Sequence, residues 1–363
     1  MKLELNREYP EPEEEQKIFE EMKTLLDDRA KYTADHMNQK LVAEGKASGT
    51  GCPVRRQHVK PTGCVRGVFK IRDDLPDYLA HGVFRQPGKT FEAIVRFSNS
   101  SDMPSHDGAG AARGMAIKLL DVDGKPAIEG TNERCQDFLM VNHPVFPFAT
   151  PAEYKNFFKL RNKFGGGGIA TTLAAVIPGV AHPTHVIIGN EIKTKKVGSP
   201  LEIRYWSGSP YWLGPDTTTG GRAVKYSVVP TISGTPLPVP LEDTQDKDYD
   251  YLVKALASSL KTHEVAFDFC VQLQTDPDAM PVEDVSVLWD EGASGPVRVA
   301  TLTIGVQDVR SAEGIAFAKR VEEMAFSPWN ALAAHRPMGG INRLRKAVYL
   351  ASQTARAAKG ASH

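Results

Sequence analysis

The spacing of hydrophobic positions divides the chain into three regions, of which the first is helical. Phe19, Met22 and Leu26 recur at intervals of three and four residues among charged residues, which predicts an amphipathic helix from about Glu13 to Glu44. We expect this helix to form an N-terminal arm that packs on a larger body or on a neighbouring subunit, as in a homodimer.

The middle region consists of short strand-like pieces. In residues 265–271 the odd-numbered positions are all large and apolar, as in a strand with one buried face. Turn-forming pairs such as Asp123-Gly124 separate the pieces, and regular helical patterns do not alternate with them. This texture predicts an antiparallel barrel rather than βαβ units. The predicted strands are Cys64–Ile71, Ala93–Ser98, Met115–Leu120, Phe138–Asn142, Leu201–Trp206, Val224–Val229, Val265–Leu273 and Val297–Ile304.

The last region is helical again. Ser311 is a candidate N-cap for an amphipathic helix through Ile315–Met324, and a basic helix without internal proline is predicted over Ile341–Lys359. The sequence therefore predicts an α+β fold with a helical arm (1–50), an antiparallel eight-stranded β-barrel (51–310) and C-terminal helices (311–363).

Charge and composition narrow the possible functions. Lys and Arg together number 44, as do Asp and Glu, and this balance argues against a nucleic-acid partner. The four cysteines are widely spaced and form no CxxC pair, which favours a reducing compartment. The acidic N-terminus predicts no secretory signal, and prolines interrupt the apolar stretch Gly165–Gly189, so we expect no transmembrane segment. A cytoplasmic location is predicted.

Four blocks of sequence carry recognisable chemistry. They are residues 55–63 (RRQHVKPTG), residues 95–98 (VRFS), the run from RGMAIK at 113–118 to GTN at 130–132, and residues 321–330 (VEEMAFSPWN), after which Arg345 and Tyr349 stand in an R-x-x-x-Y pattern. In order and spacing these blocks resemble the haem catalase superfamily, in particular its small catalase-related peroxidase group. The resemblance brackets residues 55–356 and implies a catalase-type barrel followed by helices on the proximal side of the haem.

The resemblance implies that Tyr349 is the proximal ligand of a haem b iron. A phenol has an ordinary pKa of about 10 and ligates iron well only as a phenolate. Arg345 lies four residues earlier on the same helical face, where its charge would hold the phenolate ionised. Arg55, Arg96 and Arg356 match the positions that hold the haem propionates, which need cations when they are buried.

The distal side of the haem is assigned in the same way. His58 would be the acid–base group that moves a proton between the peroxide oxygens, and Ser98 would hydrogen-bond its imidazole. Asn132 would donate a hydrogen bond to the bound peroxide, although the sequence after it departs from that of catalases. Phe146 or Phe148 would pack on the distal haem face.

Three features depart from catalases. Gln57 precedes the distal histidine where catalases have an apolar residue, the chain ends soon after the helix of Tyr349, and the apolar stretch Ile169–Ile188 has no obvious catalase equivalent. These departures suggest a haem pocket that is open to larger hydroperoxides.

The resemblance thus implies a haem-dependent, peroxide-cleaving oxidoreductase. We expect a catalase-related peroxidase that uses hydrogen peroxide or organic hydroperoxides with a small-molecule electron donor or a lipid-like substrate, and that has some catalase activity. Two alternatives stay open at this point. One is a fatty-acid hydroperoxide isomerase or peroxygenase of the allene oxide synthase-like type, and the other is a non-catalytic haem carrier or sensor.

Overall fold

The computed structural model describes residue 6 and residues 13–43, 55–101, 104–108, 110–131, 134–163, 183–215, 220–231 and 249–360. The α-helices in these residues are α1 (Glu13–Ala43), α2 (Pro151–Lys163), α3 (Pro183–Thr194), α4 (Tyr251–Leu260), α5 (Ala312–Glu323) and α6 (Gly340–Gly360). The strands are β1 (Pro61–Ile71), β2 (Thr90–Asn99), β3 (Arg113–Leu120), β4 (Cys135–Val141), β5 (Tyr205–Trp206), β6 (Tyr211–Leu213), β7 (Arg222–Thr231), β8 (Val265–Leu273) and β9 (Val297–Ile304).

The strands form a closed antiparallel barrel. The order of hydrogen-bonded neighbours is β5-β4-β3-β2-β1-β9-β8-β7, and β5 also pairs with β7, which closes the ring of eight strands. Strand β6 pairs with β7 on the same edge as β5, where Tyr211 lies opposite Val224. Closure leaves these eight strands without long unpaired edges. The predicted α+β fold with an eight-stranded antiparallel barrel is therefore confirmed.

One predicted strand was placed too early in the chain. Of Leu201–Trp206 only Tyr205–Trp206 forms a strand, and the short strand Tyr211–Leu213 was not predicted. Tyr205 is fully buried and donates its hydroxyl to the Pro200 carbonyl at 2.8 Å, and residues 200–203 form a turn followed by a bend. Gly208, with a φ of 68°, then separates the two short strands. Tertiary contacts thus override the strand propensity of this segment.

The interior of the barrel is filled by aromatic side chains. Phe138 packs on Phe269 with ring centroids 4.7 Å apart, and Phe69 meets Phe269 edge-on at 5.1 Å. All three rings are almost fully buried, together with Tyr226. Such close aromatic packing leaves little room for a ligand inside the barrel.

The N-terminal helix packs on the chain's own helices. Phe19, Met22 and Leu26, the residues that predicted the amphipathic stripe, share one buried cluster with Phe158 of α2 and Leu344 of α6. Helices α1, α2 and α6 therefore form a layer beside the barrel. The division into domains at residues 50 and 310 stays a prediction. Residues 164–182, which hold most of the apolar stretch Ile169–Ile188, lie outside the described residues. Within the described part of the chain, no helix combines the length and the apolar character needed to span a membrane.

A neutral histidine is built into the core. The Val83 amide donates to His335 Nε2 at 2.9 Å, and His335 Nδ1 lies 3.0 Å from the Tyr226 hydroxyl, so the ring proton belongs on Nδ1. Burial, with a smaller contribution from His81, lowers the pKa of His335 from 6.5 to about 3. Between these pH values the unfolded chain binds a proton that the folded chain does not.

We therefore expect acid to weaken the fold through His335. As the pH falls from about 6.5 to about 3, this histidine should cost ~1.4 kcal/mol of unfolding free energy per pH unit. His335→Gln should be less stable than the wild type at pH 7 but lose stability more slowly with acid, as measured by urea unfolding at several pH values. Equal slopes for His335→Gln and the wild type would contradict the assignment.

Candidate functional site

A cavity of about 620 Å³ lies between the outer face of the barrel and the helical layer. Residues alternate along β2, so that Val95 and Phe97 face the barrel core whereas Arg96 and Ser98 face the cavity. Strands β3 and β4 complete this wall, and α2, α3 and α6 supply the other. The volume is typical of a site for a small molecule or cofactor.

His58 is held in a strained conformation on the barrel side of the cavity. Its φ of 55° lies in the left-handed region, which costs a non-glycine residue about 1–3 kcal/mol. Two contacts hold it there. Its Nδ1 lies 2.9 Å from Ser98 Oγ, and its carbonyl oxygen accepts a hydrogen bond from Arg96 Nη2 at 2.9 Å. The structure thus brings together three residues that the sequence assigned to the site.

The seat of the His58 ring requires a glycine in β3. A Cβ atom at Gly114 would lie 2.5 Å from His58 Cε1 and 2.6 Å from its Nδ1. Any side chain at residue 114 would therefore displace the imidazole. Gly114 stands in the block 113–118 without a predicted role, although a glycine inside a strand signals a close approach of this kind.

The electrostatic surroundings keep His58 neutral. Burial is the largest influence, and the charges of Arg96, Arg345 and Arg55 add to it, so that the pKa of His58 falls from 6.5 to about 3. At neutral pH the imidazole therefore carries one proton and has one nitrogen ready to accept another.

Arg345 and Tyr349 line the cavity from α6, one helical turn apart. The Arg345 guanidinium carbon lies 5.6 Å from the centre of the Tyr349 ring. Arg345 Nη1 also donates to Ser209 Oγ at 3.1 Å and to Asn342 Oδ1 at 3.0 Å, which fixes the guanidinium. Burial lowers the pKa of Arg345, but its interactions with Tyr211 and Tyr349 outweigh burial, and its net pKa is raised. Neither Ser209 nor Asn342 was predicted. Ser209 is 136 residues from Arg345 and meets it only in the folded chain, whereas Asn342 lies three residues before Arg345 on the same helix, a spacing that could have indicated the contact.

The other three predicted arginines gather at the C-terminal end of α5. Arg55 Nη2 donates to the carbonyl oxygens of Val321, Glu322 and Met324 at 3.2, 3.0 and 3.1 Å. Arg356 donates to the Glu322 and Met324 carbonyls at 3.4 and 3.5 Å. The last carbonyls of a helix carry partial negative charge, so this end of α5 favours cations. Arg96 joins the cluster through the carboxylate of Glu322, at 2.6 Å from its Nε.

Three buried nitrogen donors in the cavity wall have no hydrogen-bond partner within the described structure. They are Gln57 Nε2, Gln353 Nε2 and Arg356 Nε. Burying a polar group without a partner costs about 1–3 kcal/mol, so these atoms point to a ligand that carries acceptor oxygens.

Aromatic rings form the remaining wall. Phe146 and Phe148 both line the cavity, and their ring centroids lie 5.8 Å apart. The ring of Tyr154 packs on both, with centroid distances of 5.1 Å to Phe146 and 4.9 Å to Phe148. The structure thus places both phenylalanines that the sequence offered as alternatives at the site. Asn132, the remaining predicted site residue, lies outside the described residues.

Part of the sequence is similar to that of known catalases. The catalase family model matches residues 10–164. Over 112 residues the chain is 30% identical to catalase A of Pseudomonas putida, and the match covers 31% of this chain and 21% of that protein. Over 100 residues it is 32% identical to a catalase of Staphylococcus warneri, covering 27% of this chain and 18% of that one. The matched segment thus spans about a fifth of the length of these relatives.

The fold extends the similarity beyond that segment. A fungal catalase structure superimposes with a TM-score of 0.66 at 21% identity, covering 84% of this chain and 59% of the other. Catalase A of Saccharomyces cerevisiae does so with a TM-score of 0.66 at 19% identity, covering 85% and 62%. The family match contains His58, Arg96 and Gly114, and the barrel that positions them has the fold of solved catalases.

Proposed function

We propose that the protein is a haem-dependent oxidoreductase that cleaves peroxide O–O bonds, with Tyr349 as the iron ligand and His58 as the distal acid–base group. The observation that carries this proposal is the shared cavity. A neutral, rigidly held imidazole faces it from the barrel, and a phenol beside a buried guanidinium faces it from α6.

The residues of the cavity fit a haem b. Tyr349 offers a phenol oxygen, the ligand type typical of catalase-like haem proteins. Arg55, Arg96 and Arg356 would hold the two propionates, and the unpartnered donors of Arg356 and Gln353 suit such carboxylates. The aromatic wall at Phe146 suits the apolar macrocycle. When bound, the haem supplies the electrons that break the O–O bond.

The distal chemistry follows from the state of His58. Because Nδ1 faces Ser98, Nε2 is the nitrogen that serves the peroxide. It takes the proton from the inner peroxide oxygen and returns it to the outer one, so that water or an alcohol leaves rather than its anion. Ser98 and Gly114 keep the ring in place during this transfer. Asn132 would donate a hydrogen bond to the same peroxide.

The proximal chemistry depends on Arg345. Its permanent charge, buried beside Tyr349 and fixed by Ser209 and Asn342, stabilises negative charge on the Tyr349 oxygen when that oxygen ligates a metal. An anionic ligand in turn favours oxidised iron. This arrangement favours an enzyme over a haem carrier, which needs no acid–base group at His58.

The aromatic wall favours hydroperoxides larger than hydrogen peroxide. Phe146, Phe148 and Tyr154 border the cavity together with Phe157 and Phe158 of α2. Such a wall can hold a hydrocarbon tail, and each buried methylene stabilises binding by ~0.8 kcal/mol. We therefore propose a peroxidase that accepts organic hydroperoxides and takes electrons from a small-molecule donor in the cytoplasm. The same wall also suits a peroxygenase acting on fatty-acid hydroperoxides.

Tyr349→Phe tests the iron ligand. The variant should purify with little haem, or with an absorption spectrum that lacks phenolate ligation, because phenylalanine offers no oxygen. Tyr154→Phe is the matched control, since it removes a hydroxyl from the same cavity and should leave haem content and spectrum unchanged. Full haem loading of Tyr349→Phe with an unaltered spectrum would refute the assignment.

His58→Ala tests the distal group. The variant should keep its haem and lose ~10²–10⁴-fold in peroxide cleavage, the usual contribution of a general acid–base group. His143→Ala, at another histidine of the cavity, should stay close to the wild type. The measurement is the rate of peroxide consumption with hydrogen peroxide and with an organic hydroperoxide. Wild-type rates in His58→Ala for both substrates would exclude His58 as the catalyst.

Gln57→Val tests the balance between dismutation and donor oxidation. Removing the polar neighbour of His58 should raise oxygen release from hydrogen peroxide relative to donor oxidation. Gln353→Val, which removes the other unpartnered amide, should leave this ratio unchanged.

The length of the substrate tail tests the aromatic wall in the unmodified protein. A hydrocarbon tail of a few methylenes on the hydroperoxide should raise kcat/KM about tenfold or more. Fast oxygen release without turnover of organic hydroperoxides would instead identify a compact catalase.

A further inference from the structure

Glu322 joins the arginine cluster to the distal histidine. Its carboxylate accepts two hydrogen bonds from one guanidinium, at 2.6 Å from Arg96 Nε and 3.1 Å from Arg96 Nη2, and Arg55 Nε lies 3.4 Å away. This two-point contact holds the plane of the guanidinium as well as its position, which a single hydrogen bond would not do.

The same guanidinium reaches His58. Arg96 Nη2 donates to the His58 carbonyl oxygen at 2.9 Å, and this is the carbonyl of the residue whose backbone is strained at a φ of 55°. A strained conformation persists only where its surroundings impose it. Arg96 is buried, and Glu322 fixes its guanidinium. The hydrogen bond from Arg96 to the His58 carbonyl therefore connects the end of α5 rigidly to the loop that carries His58.

The carboxylate is ionised in this setting. Burial raises the pKa of Glu322, but the charges and hydrogen bonds of Arg96 and Arg55 outweigh burial, and the net pKa is lowered. The carboxylate is thus a lasting partner of Arg96 over the neutral pH range.

We propose that Glu322 is a positioning residue for the distal acid–base group. It orients the guanidinium of Arg96, and through that guanidinium it fixes the backbone and ring of His58. This inference rests on the proposed role of His58 and adds a residue that neither touches the peroxide nor moves its proton. It also distinguishes Glu322 from Glu313, which lies on the same helix but pairs with Arg66, at 3.8 Å.

The test is a double-mutant cycle on the haem-loaded protein. Glu322→Gln keeps the size of the side chain but removes the negative charge, which weakens the two hydrogen bonds from Arg96. A misplacement of about 1 Å can lower a rate about 100-fold, so we expect kcat for peroxide cleavage to fall by about that factor while KM and haem content change by less than about threefold. In a His58→Ala background the same substitution should change kcat by less than about twofold, because no imidazole is left to position.

Glu313→Gln is the matched control and should leave kcat unchanged in both backgrounds. Glu322→Asp keeps the charge and should recover part of the loss. If Glu322→Gln folds poorly, Arg96→Lys is used instead, because it keeps the charge but lacks the planar guanidinium. Its loss of kcat should likewise disappear in the His58→Ala background. An equal loss in the presence and absence of His58 would reduce Glu322 to a structural residue, and an unchanged kcat in Glu322→Gln would overturn the proposal.

A second measurement separates this inference from the proposed activity. In the haem-free protein, Glu322→Gln should shift the ring ¹H and ¹⁵N resonances of His58, whereas Glu313→Gln should not. If the unmodified protein cleaves no peroxide but these resonances move, the proposed function is wrong and the positioning contact stands. If the resonances stay in place, the contact does not control His58.

Discussion

The site depends on one constraint, which is the strained backbone of His58. A left-handed φ at a non-glycine residue is unfavourable by itself, and three neighbours compensate for it: the Arg96 hydrogen bond to the carbonyl, the Ser98 hydroxyl at the ring, and the space left by Gly114. Two of these neighbours lie on β2 and one on β3. The pairing of these two strands sets Arg96 opposite Ala116 and Ser98 opposite Gly114, so the register of the barrel itself locates the imidazole.

The second requirement is to bury several cations without collapsing the cavity. Arg55 and Arg356 donate hydrogen bonds to the last carbonyls of α5, and Arg96 donates to the Glu322 carboxylate. Arg345 donates to Ser209 and Asn342. Each guanidinium is thus tied to the fold by acceptors that the chain provides. These ties hold the positive charge in place, so a ligand with negative groups meets a site that needs little reorganisation.

The sequence was informative where local pattern determines structure. Alternation along Val265–Leu273 and the other strand-like pieces predicted the barrel, and the R-x-x-x-Y spacing placed Arg345 beside Tyr349 on α6. It was uninformative where a contact joins distant segments. The contacts of Glu322 with Arg55, of Ser209 with Arg345 and of Gly114 with His58 cross 267, 136 and 56 residues. No periodicity encodes such distances. The short strand β6 was missed for a related reason, because its strand character depends on pairing with β7.

Most residues that fill the barrel core differ from those that line the cavity. The aromatic interior of the barrel, with Phe69, Phe138 and Phe269 in contact, stabilises the fold without taking part in the site. The cavity lies on the outer face of the same strands, where alternate residues such as Arg96 and Ser98 line it. The opposite wall comes from helices that pack on the barrel rather than belong to it. Substitutions at Phe146 or Phe157 can therefore change the shape of the pocket at little cost to the barrel core. The helical wall of the cavity can thus vary while the barrel strands keep the His58 ring in place.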